Sequence, residues 1–413
     1  MLFEFNIENY RSFRDKQVFS FLPDEAKKEL PVNVQEVDGN IKQLTSCVVY
    51  GANASGKSNL MKSFQTFRNL ILTSAANTPD DAFKEYDPYK FRTDTAEAPT
   101  TFEISFFVAP IRYRYLVSIL KDSVIEEKLY SYPQGREAKL FSRKEQKFIF
   151  GDLLKGQKTV IANLTGKNQL FLSKAAQNNQ QQLISIYQFF SQDFMPIPFL
   201  DSWVDSQYTD RIAKELLSKS KDLAFIDNFK TLLKSFDTGI IDFNIEKSDF
   251  TSEHEYEIEV THTLYDAGGK EVGGKKQAIG EESTGTQKLF VMGGLILRAL
   301  MNGRVIIIDE FERSLHPHIS SYIIELFHNP KINTKGAQLI IATHDSTLLA
   351  STPLRRDQIW IVEKDNQGAS ELFSLADING VPSNKPFEKW YLSGKLGGIP
   401  GIGRLNFELS YEH

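Results

Sequence analysis

The sequence predicts an α/β protein built around a phosphate-binding loop, and three observations carry that reading. An apolar run, Cys47–Tyr50, leads into Gly51-Ala52-Asn53-Ala54-Ser55-Gly56-Lys57-Ser58. That segment opens a helix-type run through Asn59, Leu60, Met61, Phe64, Phe67 and Leu70. A second apolar run, Val305–Ile308, ends in Asp309-Glu310, and a third, Leu339–Ala342, ends in Thr343-His344-Asp345. Short continuous apolar runs of this kind read as strands buried on both faces of a mixed or parallel sheet.

The loop comes first because each of its positions answers a physical demand. Backbone N–H groups of Asn53, Ala54, Ser55, Gly56, Lys57 and Ser58, with Asn59 in the first helical turn, would cradle a polyphosphate at the positive helix end. Gly51 and Gly56 allow backbone conformations closed to residues bearing a Cβ. Lys57 would place its charge on the β- and γ-phosphates, and the Ser58 hydroxyl would bind Mg²⁺. The expected ligand is ATP or another nucleoside triphosphate.

The strand ends come next. A carboxylate closing a strand beside such a loop holds the metal ion, here Asp309, and Glu310 would be the base that orients and deprotonates water. His344 ends another core strand on the same expected edge, where ligands of α/β sheets bind, and would contact the γ-phosphate. Glu282-Ser283-Thr284-Gly285-Thr286-Gln287-Lys288 precedes an apolar helix, Leu289–Met301, and forms a second anion-binding helix start.

The remaining elements follow in order. Phe3, Phe5 and Ile7 alternate with Glu4, Asn6 and Glu8 as in a half-buried strand, paired across a polar turn with Gln17–Phe21. Runs at Thr101–Val108, Tyr113–Leu120, Val124–Tyr132 and Ala138–Phe150 imply an antiparallel meander. Leu216, Leu217, Leu223, Ile226, Phe229, Leu232 and Leu233 recur near the helical period, marking residues 168–236 as a helical insertion. Ile240–Glu246 and Glu255–Leu264 read as a hairpin, and Gln358–Val362 as a further core strand. The domain reading is an N-terminal lobe at 1–165, the insertion at 166–238 and a C-terminal lobe at 239–413.

At 413 residues the chain exceeds one hydrophobic core. Its net charge of −5 excludes a global nucleic-acid footprint, leaving only local clusters at Lys139, Arg143, Lys144 and Lys147 and at Lys270, Lys275 and Lys276. The single cysteine, Cys47, and the acidic Glu4 and Glu8 near the start fit a reducing cytoplasm rather than a secreted or membrane-anchored protein.

The order of loop, Ser-x-Gly segment, Asp-Glu strand, Ser314-Leu315-His316-Pro317 and Thr343-His344-Asp345 resembles the ABC-type ATPase heads of the SMC, RecF and OLD groups. The opening Ile7-Glu8-Asn9-Tyr10-Arg11-Ser12-Phe13 is similar to their first strand and turn. Arg356-Asp357-Gln358-Ile359-Trp360 and Tyr391-Leu392-Ser393-Gly394-Lys395 extend the resemblance to stand-alone ATPases of the restriction-linked RloA and abortive-infection AbiL type. The resemblance implies an ABC-type fold with an antiparallel subdomain, ATP and Mg²⁺ as cofactors, and Arg11 at the nucleotide. It implies that Ser283, Gly285 and Gln287 act in trans on ATP held by a partner head. Ser314, Leu315 and His316 would then be a D-loop crossing a homodimer seam. The glutamine that senses Mg²⁺ in such heads has Gln169 and Gln177 as candidates. Glu363 and Asp365 look superficially like the first acids of a TOPRIM nuclease and read instead as a solvated turn. The implied function is an ATP-driven molecular switch serving anti-phage defence with a separate TOPRIM- or nuclease-like effector. A DNA-binding repair ATPase is the alternative.

Overall fold

The computed structural model describes residues 1–26, 29–37, 41–197, 207–248, 255–382 and 386–400. Among these, the central sheet runs Phe194–Ile197, Val305–Ile308, Gln338–Ala342, Ser46–Gly51, Ile359–Lys364, Ser370–Ser374. All neighbours in it are parallel except the last pair. Alternate residues face opposite cores: Cys47, Val49, Val305, Ile307 and Ile340 on one side, Val48, Tyr50, Ile306, Ile308 and Ile341 on the other. Both faces are dry, which is why these strands are continuously apolar in sequence. Helix Lys57–Thr73 fills the first core with Leu60, Phe64 and Phe67. Helix Thr284–Asn302 fills the second with Phe290, Leu295 and Ile296.

An antiparallel sheet covers the first core, in the order Lys147–Phe150, Ala138–Lys144, Val124–Ser131, Ile111–Ile119, Thr100–Val108, Leu2–Glu8, Gln17–Ser20. The N-terminal hairpin and the meander, separate in the sequence reading, are one sheet because Leu2–Glu8 pairs with Thr100–Val108. Phe5 stacks on Phe64 with ring centroids 4.3 Å apart, joining the sheet to the loop helix. The expected single run Ala138–Phe150 is a hairpin turning at Glu145, which takes φ 52°.

The expected insertion contains helices Phe171–Gln177, Gln181–Gln188, Gln207–Ser218 and Leu223–Ser235, and the periodic apolar residues fall on the last two. It also holds strand Phe194–Ile197, which the sequence reading missed. This run is short and contains Pro196, a residue accepted at a sheet edge where no ladder N–H is needed. The expected hairpin gains a third strand, Glu271–Ala278, whose nearly complete exposure removes any apolar alternation from its sequence. Residues 198–206 of the expected insertion and 401–413 of the expected C-terminal lobe lie outside the described residues.

The basic cluster on the meander is reduced by folding. Arg143 is buried beside Glu127, 3.7 Å away, and donates to the carbonyls of Gly166 at 3.0 Å and Lys167 at 3.2 Å. It fastens the insertion to the sheet and offers no charge to a ligand. Lys276 of the second cluster is paired with Glu259 at 3.2 Å. No helix among the described residues is long and apolar enough to cross a membrane.

Behind the loop strand lies a buried polar knot. His328, in the last turn of helix Pro317–His328, shares Nε2 with Ser46 Oγ at 2.7 Å and Gln358 Nε2 at 3.2 Å. Burial pushes its imidazolium pKa down from 6.5 to about 4. Between those values the unfolded chain takes up a proton that the folded chain refuses, so stability falls as pH falls from 6.5 toward 4. The loss from this one residue is ~3 kcal/mol at most. Chemical denaturation of wild type and His328→Gln across this range is expected to show a difference that shrinks at the acid end. A parallel pH dependence in the two proteins would refute the assignment.

Candidate nucleotide-binding site

The parallel register brings the chemistry together. Ile308 pairs with Ile341, and Ile341 with Val48, so Asp309, Thr343-His344 and the loop after Gly51 all leave adjacent strands at their carboxyl ends. There Asn53, Ala54, Ser55, Gly56, Lys57, Ser58 and Asn59 line a cleft of about 380 Å³ with Glu310, His344 and Lys364. Larger clefts lie elsewhere, one of about 600 Å³ beside Glu29 and Arg355 and one of about 490 Å³ beside Gln157 and Gln180. Neither carries a glycine-rich loop or a strand-end carboxylate, so size does not choose the site.

The loop is gripped from both sides. A Cβ on Gly51 would run into the Val362 carbonyl oxygen, and one on Gly56 (φ 123°) would meet Ser370 Oγ and Ser12 Oγ. Ser370 Oγ donates to the Ser55 carbonyl, Ser370 N to the Ser12 carbonyl at 2.6 Å, and Asn59 Nδ2 to Ser12 Oγ at 2.8 Å. Ser12, Ser370 and Lys364 were not singled out from sequence. Nothing in their local pattern marks them, since they reach the loop only through the fold.

Lys57 is buried, and its Nζ donates to the carbonyls of Gly51 at 2.7 Å and Ala52 at 3.1 Å. Burial pulls its pKa down from 10.5 to about 8, against the opposing pull of Asp309, Glu312 and Glu310. Asp309 is buried at the end of its strand and accepts the Glu310 N–H at 3.1 Å. Burial raises its carboxyl pKa, and the neighbouring Ser58 side chain, the Glu310 N–H and Lys57 act against the rise. Glu310 takes φ 48°, a left-handed conformation that costs a residue with a Cβ on the order of 1–3 kcal/mol. Its carboxylate lies 3.7 Å from Arg313 on the exposed side of the turn. His344 is exposed into the cleft, and its backbone N–H donates to Glu312 Oε1 at 2.8 Å.

A family model described as "AAA domain, putative AbiEii toxin, Type IV TA system" matches residues 47–350, from the loop strand to beyond His344. The chain belongs to the AAA_21 family. It is therefore a P-loop protein of a family of nucleotide-binding ATPases, with a mixed α/β fold. Solved structures similar to it include an SMC head bound to the C-winged-helix domain of ScpA (15% identity, TM-score 0.44, covering 90% of this chain and 97% of that one). Another is the SMC head domain from Thermotoga maritima (12%, 0.40, 90% and 98%). A third is the SMC head with an extended coiled coil bound to the C-terminal domain of ScpA, from Pyrococcus furiosus (14%, 0.42, 90% and 96%). The comparison with curated proteins gives no match.

The other expected residues divide. In this AAA_21 chain Ser283 is the exposed N-cap of helix Thr284–Asn302 and accepts from Thr286 N at 3.2 Å. Gly285 packs closely on the turn at Ser314, since a Cβ there would stand 2.9 Å from the Ser314 carbonyl oxygen. Gln287 spends its amide on the carbonyls of Glu282 at 2.8 Å and Gly280 at 3.1 Å. Ser314 takes φ 63°, and His316 caps helix Pro317–His328 through Nδ1. None of Ser283, Gly285, Gln287, Ser314, Leu315 or His316 lines the chain's own cleft.

Arg11, expected at the nucleotide, is instead paired with Asp87 at 3.1 Å and does not line the cleft. Gln169 does not reach the site: its amide binds the carbonyls of Ala75 at 3.2 Å and Asn77 at 2.7 Å and the Gly166 N–H at 2.9 Å. Gln177 ends helix Phe171–Gln177, also outside the cleft. Glu363 accepts from Gly398 N at 2.7 Å, and Asp365 closes its turn by accepting from Gln367 N and Ala369 N, each at 2.8 Å.

The donor set suits Mg²⁺. The Ser58 hydroxyl and the neighbouring Asp309 carboxylate supply hard oxygen ligands. A site of one carboxylate and one hydroxyl leaves the remaining positions to phosphate and water, as this ion prefers. Bound there, it would neutralise phosphate charge. Lys57→Ala is expected to weaken ATP binding at least about 100-fold by calorimetry, because the buried ammonium is the principal positive charge of the loop. Wild-type binding above pH 8 should take up a proton, since phosphate favours charged Lys57. Unchanged affinity in the variant would remove the loop from the ligand.

Proposed function

We propose that this protein is an ATP-hydrolysing molecular switch whose heads close on ATP and open on hydrolysis. The carrying observation is the convergence of Lys57, Ser58, Glu310 and His344 around one cleft of about 380 Å³, with the buried Asp309 beside Ser58. The loop amides and Lys57 bind and orient the phosphates, Glu310 takes a proton from the attacking water, and His344 steadies the terminal phosphate. Ser58 and Asp309 would hold Mg²⁺, which would supply charge neutralisation.

Dimerisation rests on the exposed surface formed by Ser283, Gly285 and Ser314. The helix start at Ser283 offers N–H donors away from its own cleft, so the phosphate it suits belongs to a second copy. The partner copy would complete the site across the D-loop.

The setting we propose is bacterial defence of the abortive-infection or RloA/AbiL type, in the cytoplasm, with a separate TOPRIM- or nuclease-like effector reading the ATP state. The toxin–antitoxin wording of the family description supports it. The DNA-repair reading has less to stand on, because Arg143 is internal and Lys276 is paired.

Glu310→Gln should bind ATP, hydrolyse it at least about 100-fold more slowly, and accumulate as an ATP-dependent dimer of doubled mass in light scattering. A variant that binds ATP and stays monomeric would refute the trans arrangement.

A further inference from the structure

The turn after the Asp309 strand carries a third acid, Glu312, to which no role has yet been given. Three tethers hold it in place. Phe311 is fully buried and donates its N–H to the Ala342 carbonyl at 3.1 Å, pinning the turn to the strand that ends at His344. Lys288, buried on the helix that begins at Ser283, donates from Nζ to the Phe311 carbonyl at 3.0 Å and to the Arg313 carbonyl. The carbonyls of the residues on either side of Glu312 are thereby held by one ammonium group. The turn has positive φ at both ends, at Glu310 and Ser314, a conformation that persists only where surroundings enforce it.

Held this way, the Glu312 side chain reaches back across the strand ends. Oε1 accepts the His344 N–H at 2.8 Å, while Oε2 is fully enclosed with no hydrogen-bond partner among the described residues. Its charge is felt by both buried lysines, Lys57 and Lys288, each brought down to about 8 by burial with Glu312 opposing. His344 itself is exposed, and the residues after it are held by other bonds: Asp345 N to Thr343 Oγ1 at 3.0 Å and Tyr50 Oη to the Asp345 carbonyl at 3.2 Å. Among the described residues, the Glu312 bond is the one that fixes the His344 peptide unit itself.

We propose that Glu312 is a positioning residue for ATP hydrolysis, holding the His344 backbone so that the imidazole stands over the terminal phosphate. This rests on the ATPase reading above and assigns Glu312 no proton transfer, which stays with Glu310. The bond joins the strand-end turn, carrying Glu310, to the His344 loop, so the two groups that flank the phosphate move as one unit.

The test is steady-state ATP hydrolysis by the full chain with Mg²⁺, together with nucleotide affinity. Glu312→Ala should lower kcat about 100-fold, the cost of a misplacement near 1 Å, with affinity within about threefold of wild type. Glu312→Gln keeps an acceptor oxygen and should recover most of that loss. On a His344→Ala background, Glu312→Ala should add less than about threefold, because the two act through one group. A Glu312→Ala enzyme with wild-type kcat would overturn the proposal. So would a Gln variant as impaired as the Ala variant, or losses that multiply in the double variant. If Glu312→Ala does not fold, Glu312→Gln alone and on the His344→Ala background decides by the same comparison. A wild-type chain that binds ATP and never hydrolyses it overturns the parent reading; a hydrolysing wild type indifferent to Glu312 overturns this one alone.

Discussion

The parallel pairing of three neighbouring strands governs everything the cleft can do. Val305–Ile308, Gln338–Ala342 and Ser46–Gly51 run side by side in the same direction and end together. Residues more than 280 positions apart in the chain, such as Ser58 and His344, therefore border one cleft of about 380 Å³. A slip of one residue would send every side chain of a strand to the opposite core. Two apolar cores, one on each face, make such a slip costly and so hold the register.

Within that frame the charges are placed against their preference. Lys57 and Asp309 are both buried enough that desolvation opposes their charged forms, and each is supported by its neighbours in the site. A phosphate and a divalent ion would supply the charges each group lacks, which suits the cleft to an anionic, metal-carrying ligand. The left-handed backbones at Ala54 and Glu310 belong to the same economy of strain. Both residues line the cleft.

The parts of this arrangement legible in the sequence were those carried by contiguous pattern. The loop Gly51–Ser58, the strand ending at Asp309-Glu310 and the strand ending at His344 announce themselves by apolar runs that stop abruptly at polar residues. The meander and the helices of the insertion were legible by period. What was missed is non-local or unpatterned. Ser12 and Ser370 touch the loop from distant segments, Glu312 gains meaning only from its bond to the His344 N–H, and Phe194–Ile197 is a short edge strand with a proline. Arg11 lies beside Ser12, which accepts from Asn59 of the loop helix, while its own guanidinium pairs with Asp87. Arg143 misled because a charged residue between lysines reads as surface, whereas buried Glu127 and the carbonyls of Gly166 and Lys167 draw it inside.

The central claim is that Lys57, Ser58, Asp309, Glu310 and His344 surround a single metal-bound triphosphate. Mn²⁺, a close stand-in for Mg²⁺, reports this directly through anomalous scattering from crystals grown with a non-hydrolysable ATP analogue. The account predicts one peak about 2.1 Å from Ser58 Oγ, adjacent to the Asp309 carboxylate, with the γ-phosphate between Lys57 and His344. A peak away from Ser58 and Asp309, or phosphates lying outside the cleft, would contradict it.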